Sequence, residues 1–326
     1  MPLVSILLYH VFLLVITISI QESITQGLQK IFLAPALCIL LDEGCRTDLK
    51  NIINVICNLL VIILMLNLFV FNQWFFPGFF LVSNHVTFIG HVQVAAEIGI
   101  LGILVAYIEY TYSFQKNKSV FLAILSLLTM IYSETAGSYL GIIIVIVFFL
   151  FGKIKEIKKI VCQHECALFV VLTTLSIITI NIQSLPIFTK YGTIITTFSS
   201  GRTYIWKQGL NLFRMKPAFG YGAYGVLIKV FWSKSGFNYA HSTLLQLLLD
   251  GGITLAVLFF ITVILYIRSE DKRLNNRNVK YTSHVLLFAF LSIGVFESLT
   301  EYYYLFMFLS VLPYLYQLDD ANEKIA

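Results

Sequence analysis

Residues 242–267 read STLLQLLLDGGITLAVLFFITVILYI, and Asp250 is the only charged side chain among them. About 20 consecutive apolar residues are enough for a helix to cross the hydrocarbon core of a bilayer. Lipid offers no hydrogen-bond partners, so the backbone groups of such a run must pair with one another, as they do in a helix. The stretch therefore predicts a membrane-spanning helix.

Similar apolar runs recur through the whole chain. Of its 326 residues, 58% are hydrophobic and only 12% are charged, whereas soluble domains carry about 25% charged residues. So few charges cannot cover a water-soluble surface. A membrane β-barrel would show short alternating segments, and these runs are continuous. We therefore predict an all-α polytopic membrane protein.

The apolar runs predict about ten transmembrane helices, with one long external loop before the eighth. The first run could also be a cleaved signal peptide, but it lacks a basic n-region and a small-residue cleavage site. We therefore expect it to be retained. The predicted spans are Leu3–Ile20, Ile24–Leu41, Ile52–Phe71, Val86–Ile108, Ser119–Tyr132, Ser138–Phe151, Val161–Ile180, Ser242–Ile267, Tyr281–Leu299 and Tyr303–Gln317.

Basic residues in the short loops predict the orientation of the chain. Cytoplasmic loops carry an excess of Lys and Arg. Ten spans place the basic loops on one side, so that side and both termini are expected to be cytoplasmic. We predict a single integral membrane domain with N-terminal helices in residues 1–180, an external loop in 181–241 and C-terminal helices in 242–326. The basic residues of the short loops that are expected to be cytoplasmic are Lys116, Lys118, Lys153, Lys155, Lys158, Lys159, Arg268, Lys272, Arg273, Arg277 and Lys280.

The predicted external loop is rich in cations and lacks acids. No Asp or Glu occurs from Ala167 to Leu249. Two interpretations are open. The loop either rests on anionic lipid headgroups, at about 1 kcal/mol per basic residue, or forms a site for an anionic substrate. Its cations are Lys190, Arg202, Lys207, Arg214, Lys216, Lys229 and Lys234.

A helix with two different sides is predicted after Gly201. At helical spacing Arg202 and Trp206 share one side, and Lys207 and Arg214 share another. Such a pattern is typical of an amphipathic helix on a membrane surface, with its aromatic side facing lipid. Arginine is also the side chain best suited to bidentate contacts with phosphate.

Pro217 is expected to end this helix, and Gly220-Tyr-Gly222 to form a flexible turn. With Gly225 the glycines spell G-x-G-x-x-G. A dinucleotide-binding fingerprint is rejected, because no strand precedes these glycines and no acid follows them until Asp250.

His241 and Ser242 stand at the outer mouth of the eighth span. A histidine in this position can accept a proton from a hydroxyl, although an interfacial histidine without a function is also possible. Asp250 lies nine residues further, about 13 Å along a helix. An acid inside a span is costly and indicates a functional or a pairing role. We expect Gly251-Gly252 beside it to permit close packing.

The order Gly201-Arg202, Trp206, Pro217, Gly220-x-Gly222, His241-Ser242, Leu245 and Asp250-x-Gly252 resembles the O-antigen ligase and Wzy-type polymerase family. The resemblance is specific from Gly201 to about Leu255 and is architectural elsewhere. It implies a multi-pass protein of the bacterial cell (inner or plasma) membrane whose external loop is catalytic.

The resemblance also implies the reaction. The donor is a polyprenyl-pyrophosphate-linked oligosaccharide, an acceptor hydroxyl attacks its anomeric carbon, and polyprenyl pyrophosphate leaves. The expected enzyme polymerises repeat units of a surface polysaccharide, such as a capsule or exopolysaccharide, without metal or soluble cofactor. Its expected partners are membrane lipid, a flippase and a chain-length regulator, with no nucleic acid. We keep two alternatives: a ligase that moves finished glycan to another acceptor, and a flippase or transporter of lipid-linked anions.

The site residues follow from this chemistry. Fixed cations at the leaving pyrophosphate stabilise its growing charge, a role expected of Arg202 and Arg214, while His241 is the expected base. The expected substrate-binding residues are Lys207, Trp206, Gly220, Gly222, Ser242 and Glu134. Glu134, Glu297 and Glu301 fall near the outer face, where they either line a sugar channel or pair with basic groups. Lys30 is expected to extend to the membrane surface.

Overall fold

The computed structural model describes residues 2–20, 29–70, 86–92, 94–112, 115–152, 154–163, 165–271 and 276–318. Its helices are α1 Pro2–Ile20, α2 Ala34–Met65, α3 Val94–Tyr112, α4 Lys116–Tyr132, α5 Ala136–Phe151, α6 Lys155–Gln163, α7 Glu165–Ile180, α8 Pro186–Phe198, α9 Arg202–Met215, α10 Thr243–Asp271, α11 Arg277–Ile293 and α12 Tyr304–Val311. Two antiparallel hairpins accompany them, β1 Val86–Thr87 with β2 Gly90–His91, and β3 Ile228–Val230 with β4 Ser233–Phe237.

Within these residues, 4 helices are long and apolar enough to cross a membrane, and a fifth is added if a pair bent by 74° counts as one span. The structure thus supports a multi-pass helical membrane protein, and it does not confirm ten spans. The 4 helices are Leu3–Ile20, Lys30–Val70, Val94–Tyr112 and Thr243–Ser269, and the bent pair is Lys155–Gln163 with Ala167–Ile180.

The predicted second and third spans form one helical stretch in the structure. Helical residues follow one another from Lys30 to Val70, 41 in all, about twice the roughly 20 residues that one membrane crossing needs. The backbone of this stretch breaks only at Asp48, with φ −153 and ψ 79. The Asp48 carboxylate accepts a hydrogen bond from Asn51 N at 3.0 Å, as an N-cap does. Two helices therefore follow one another directly at Asp48, where a loop was expected.

Other predicted span boundaries also differ from the structure. Helix α3 begins at Val94 rather than Val86, because β1 and β2 precede it. Helix α11 ends at Ile293, before Leu299. The last predicted span consists of α12 and a 3-10 turn, Leu312–Tyr314, in which Pro313 cannot supply the N–H that an α-helix needs.

The chain folds into two compact units, each assembled from distant segments. The first contains residues 1–39, 166–266 and 294–307, and the second contains residues 40–165, 267–293 and 308–326. Every predicted site residue except Glu134 lies in the first unit. In the second unit α3 packs closely on α4, where a Cβ at Gly102 would lie 2.2 Å from Ser126 Oγ, an approach that small residues permit between membrane helices.

Helix α10 is broken at Gly251 and Gly252, and the loop that follows α9 is hydrogen-bonded to the break. Tyr221 N donates to Leu249 O at 2.7 Å and Gly222 N to Asp250 O at 2.8 Å. Ile253 N donates to Pro217 O at 2.9 Å. The loop thus satisfies backbone groups that the break removes from the helical ladder.

Glycine is required on both sides of this contact. Gly220 has φ +63, and a Cβ there would lie 2.4 Å from Leu249 O; Gly252 has φ +67, and its Cβ would lie 2.3 Å from Ala218 O. The close packing expected of Gly251-Gly252 therefore occurs, but against loop backbone rather than against another helix. The turn expected to be flexible is hydrogen-bonded in place.

Helix α9 packs on the first turns of α10 around Trp206, which is 2% exposed. A Cβ at Gly209 would lie 2.8 Å from the Leu245 side chain, so the two helices approach closely. The prediction that the Trp206 side of α9 faces lipid is wrong, because protein covers it. The buried residues of this cluster are Ile180, Ile205, Trp206, Ile228, Ala240, Leu244, Leu245 and Leu249.

Gly252→Ala is expected to destabilise the protein by about 3 kcal/mol or more, since a φ and ψ that only glycine adopts is combined with backbone overlap. Thermal unfolding of the purified protein in detergent measures the change. The control is Gly192→Ala in α8, where the new methyl group would meet only the Phe188 ring, at 3.1 Å. Equal melting temperatures for the two variants would contradict the role of the break.

Candidate functional site

His241 lies between β4 and α10 and has φ 49, a left-handed conformation that is unusual for a non-glycine residue. Such strain costs about 1–3 kcal/mol and is common at functional sites. The Tyr239 ring lies edge-on to the imidazole with its centroid 4.4 Å away. Trp206 Nε1 donates to His241 O at 3.3 Å. The imidazole therefore packs against its own loop, while α9 holds the His241 backbone.

Glu297 bridges Arg202 and His241. Arg202 Nη2 lies 2.6 Å from Glu297 Oε1, and His241 Nδ1 lies 3.4 Å from Glu297 Oε2. The three side chains are 14%, 9% and 7% exposed, in the order Arg202, His241, Glu297. The histidine contact is longer than the 2.7–3.2 Å usual for N–H···O bonds, and catalytic hydrogen bonds often shorten only when substrate is bound. We call these three residues the Arg–Glu–His cluster.

Thr243 fixes the backbone that carries Glu297. Its hydroxyl donates to Glu297 O at 2.8 Å and accepts from Leu299 N at 3.0 Å. Its N–H donates to Gly294 O at 2.8 Å. Because Thr243 is two residues after His241, these bonds tie the histidine segment directly to the glutamate segment.

The Arg–Glu–His cluster combines an anion-binding group with a proton acceptor. Guanidinium has five N–H donors, and Glu297 uses only Nη2 of Arg202, so further donors can bind an anion. A carboxylate at Nδ1 favours the tautomer with its proton there, and in that tautomer Nε2 is the basic ring nitrogen. Burial and the Glu297 charge raise the pKa of the Tyr239 hydroxyl beside the imidazole, so this phenol stays protonated and can donate a hydrogen bond.

A second charged group lies in the same unit and was not predicted as a site. Lys30 Nζ lies 2.6 Å from Asp250 Oδ2 and 2.6 Å from Glu301 Oε1, with side chains 2–8% exposed. The prediction that Lys30 extends to the membrane surface is wrong, because its ammonium group is buried between two acids. The pairing role expected of Asp250 is confirmed. We call these three residues the lysine triad.

Aromatic groups complete the surroundings of the lysine triad. The Tyr224 ring lies under Lys30 Nζ, with its centroid 5.0 Å away. Burial raises the pKa of the Tyr224 phenol, and the Glu301 charge raises it further. Burial also raises the pKa of the Glu301 carboxyl, an effect that Lys30 opposes.

Gln246 connects the lysine triad with the loop that carries His241. Its Oε1 accepts from Ala240 N at 2.7 Å, and its Nε2 donates to Asp250 Oδ1 at 2.9 Å. The Gln246 side chain, the Ala240 N–H and the Asp250 carboxylate are all buried, so water competes little for these hydrogen bonds. A shift of Asp250 would therefore displace Ala240, the residue before His241.

The remaining predicted cations lie apart from the Arg–Glu–His cluster. Lys207 and Arg214 are exposed on the polar side of α9, as the spacing predicted. Arg214 Nη1 donates to Asn211 Oδ1 at 3.3 Å. Twelve residues separate it from Arg202, about 18 Å along the helix axis. The structure does not bring the two arginines together.

The other predicted site residues differ in their surroundings. Ser242 is fully buried next to His241, and its hydroxyl has no hydrogen-bond partner among the described residues. Gly220 and Gly222 lie against the break in α10. Glu134 is an exposed residue with φ 50, in the turn between α4 and α5 in the second unit.

One of the two interpretations of Glu297, pairing with a basic group, is present in the structure, whereas the burial of Lys30 and its contacts with two acids were missed. A signal for them was present, because charges such as Lys30 and Asp250 within apolar segments must be paired when buried. What the sequence lacked was the pairing itself, since Lys30 and Asp250 are 220 positions apart. In the part of the chain that the structure describes, no group of three or more His, Cys, Asp or Glu side chains could hold a metal ion.

Part of the chain matches a known protein family. Residues 121–260 match the family model described as Wzy_C: O-Antigen ligase. The matched range includes Arg202, His241 and Asp250 and ends before Glu297. It confirms the resemblance seen in the sequence over these residues. No curated protein and no solved structure matches the chain.

Thr243→Val is expected to lower stability by about 1–3 kcal/mol. Glu297 O and Leu299 N both lose the Thr243 hydroxyl as their hydrogen-bond partner, while the shape of the side chain is kept. Thermal unfolding of the purified protein is the measurement. Thr174→Val is the matched control, since that exposed hydroxyl bonds only to Val170 O of its own helix. A loss no larger than that of the control would show that Thr243 does not hold the Glu297 segment.

Proposed function

We propose that this chain, whose residues 121–260 match the O-antigen ligase family model, transfers glycan from a polyprenyl-pyrophosphate carrier to an acceptor hydroxyl on the outer side of a bacterial membrane. The observation that carries the proposal is the Arg–Glu–His cluster, which combines an anion-binding cation with a proton acceptor. Both termini are then cytoplasmic, and the loop of residues 181–241 is external.

Arg202 is the proposed contact for the pyrophosphate. Negative charge on the leaving group grows as the anomeric C–O bond breaks, so a fixed cation stabilises the transition state more than the ground state. The Glu297 contact holds the guanidinium in one orientation, and its unused N–H groups fit phosphate oxygens. Lys207 and Arg214, exposed on the other side of α9, are proposed to attract the anionic carrier lipid and its headgroup.

His241 is the proposed base, and Glu297 is its positioning residue. The acceptor O–H gives its proton to Nε2 while its oxygen forms a bond to the anomeric carbon, and the bond from that carbon to pyrophosphate breaks. Polyprenyl pyrophosphate leaves with the electron pair of that bond. The imidazolium that forms is stabilised by the Glu297 carboxylate, as in other acid–histidine pairs. Ser242, Trp206, Gly220, Gly222 and Glu134 remain proposed substrate contacts, and no metal or soluble cofactor takes part.

The acceptor distinguishes two forms of this function. If it is another lipid-linked repeat unit, the enzyme is a polymerase of capsule or exopolysaccharide type, which we propose because no sequence feature indicates a lipid A or protein acceptor. If it is a different molecule, the enzyme is a ligase, which the description of the family model favours. A flippase that delivers the donor and a chain-length regulator are the proposed protein partners.

Arg202→Ala and His241→Ala are expected to abolish assembly of the surface glycan while the protein stays in the membrane, because one removes the leaving-group cation and the other the base. Gel analysis of extracted surface glycan, with immunoblotting of membranes, measures both quantities. Arg46→Ala is the matched control, since its side chain is 63% exposed, lies in the second unit and pairs with Asp42 and Glu43 of its own helix. Normal glycan in either site variant would refute the proposed site.

A strain that lacks the protein separates the polymerase from the ligase. Under the polymerase proposal, short lipid-linked repeat units accumulate, because the step that joins them is absent. Extraction of the carrier lipids followed by mass spectrometry of the attached glycan measures this. Full-length glycan retained on the carrier would instead establish the ligase.

A further inference from the structure

The Arg–Glu–His cluster depends on two segments that are far apart in sequence. His241 lies two residues before the start of α10, whereas Glu297 lies after α11, 56 positions later. The contact between their side chains is 3.4 Å, at the outer limit of a hydrogen bond. A small change in the spacing of the two segments would therefore break it.

Lys30 bonds to both segments at once. Asp250 lies on the helix that His241 precedes, and Glu301 lies four residues after Glu297, at the end of the 3-10 turn Leu299–Glu301. Lys30 Nζ is 2.6 Å from a carboxylate oxygen of each. Lys30 itself comes from the start of the long helical stretch Lys30–Val70, which contains no residue of the Arg–Glu–His cluster.

The connection to the histidine side is made of direct bonds. Asp250 Oδ2 binds Lys30, while its Oδ1 accepts from Gln246, which accepts from Ala240 N. Asp250 O also accepts from Gly222 N in the loop that follows α9. A shift of Asp250 would thus displace Ala240, the residue before His241. It would also displace the loop that connects to α9, the helix that carries Arg202.

We propose that Lys30 is a positioning residue that sets the spacing between His241 and Glu297. Its effect on turnover rests on the proposed function, whereas its effect on spacing does not. Charge neutralisation alone does not require this arrangement, because a single carboxylate balances one ammonium group. Two acids on two different segments, each at 2.6 Å from one nitrogen, instead describe a link between those segments.

The kinetic test separates positioning from neutralisation. Lys30→Met leaves two buried acids without a cation and is expected to reduce the amount of protein in the membrane. The triple variant Lys30→Met/Asp250→Asn/Glu301→Gln removes all three charges, so its abundance is expected to recover. Because a small misplacement of catalytic groups greatly slows reaction, its kcat is expected to fall about 10- to 100-fold, with KM for the donor changed by less than about 3-fold.

Lys118→Met is the matched control, because Lys118 is a part-buried lysine, 3.5 Å from Glu109 in the second unit. Its kcat is expected to equal that of the unmodified chain in vesicles loaded with lipid-linked oligosaccharide. A triple variant with unchanged kcat would overturn the proposal, since neutral residues would then serve as well as the lysine link.

A cross-linking measurement tests the spacing without any activity. His241→Cys/Glu297→Cys is made in a chain whose native cysteines are replaced by serine, and a short thiol-to-thiol cross-linker is added to membranes. Linkage is expected to be rapid with Lys30 present and about 10-fold slower in the triple-variant background. Equal rates would overturn the proposal. If linkage depends on Lys30 but the unmodified chain transfers no glycan, the proposed function fails while the role of Lys30 stands.

Discussion

The break in α10 at Gly251-Gly252 is the constraint on which the rest of the first unit depends. A helix interrupted inside a membrane protein leaves N–H and C=O groups that lipid cannot satisfy. Here the backbone of Pro217–Gly222 supplies partners, at 2.7–2.9 Å for the three closest bonds. The loop that follows α9 is therefore fixed against α10. Arg202 at the start of α9 and His241 before α10 consequently belong to one rigid arrangement.

The pairing of buried charges explains how distant segments of the first unit are brought together. Moving an ion out of water costs several kcal/mol even in real proteins, and only close partners recover that cost. In the described residues of the first unit, Lys30, Asp250 and Glu301 lie together, as do Arg202 and Glu297. Each group joins segments that are distant along the chain. The same requirement that charges be paired thus brings together the segments that carry the proposed reacting groups.

Some features of the structure are determined by the local sequence, and others depend on residues far away in the chain. The helical character of most predicted spans, the two sides of α9 and the pairing role of Asp250 were predictable, because composition and spacing determine them. The direct succession of two helices within Lys30–Val70 was not predictable, because it depends on the cap at Asp48, which removes the need for a loop. The burial of Lys30 and Trp206 was also missed. A charge or an aromatic ring near a predicted membrane surface has the same pattern whether lipid or protein covers it.

A single carboxylate between an arginine and a histidine suits the charge changes of the proposed reaction. Before reaction, Glu297 balances the charge of Arg202 and also contacts the His241 imidazole. During reaction the pyrophosphate gains negative charge next to the arginine, while the histidine gains a proton next to the carboxylate. Each new charge therefore arises close to a fixed charge of opposite sign, and little reorganisation is needed. An arginine and a histidine without the shared glutamate would leave the imidazolium close to a cation, so Glu297 is essential to the arrangement.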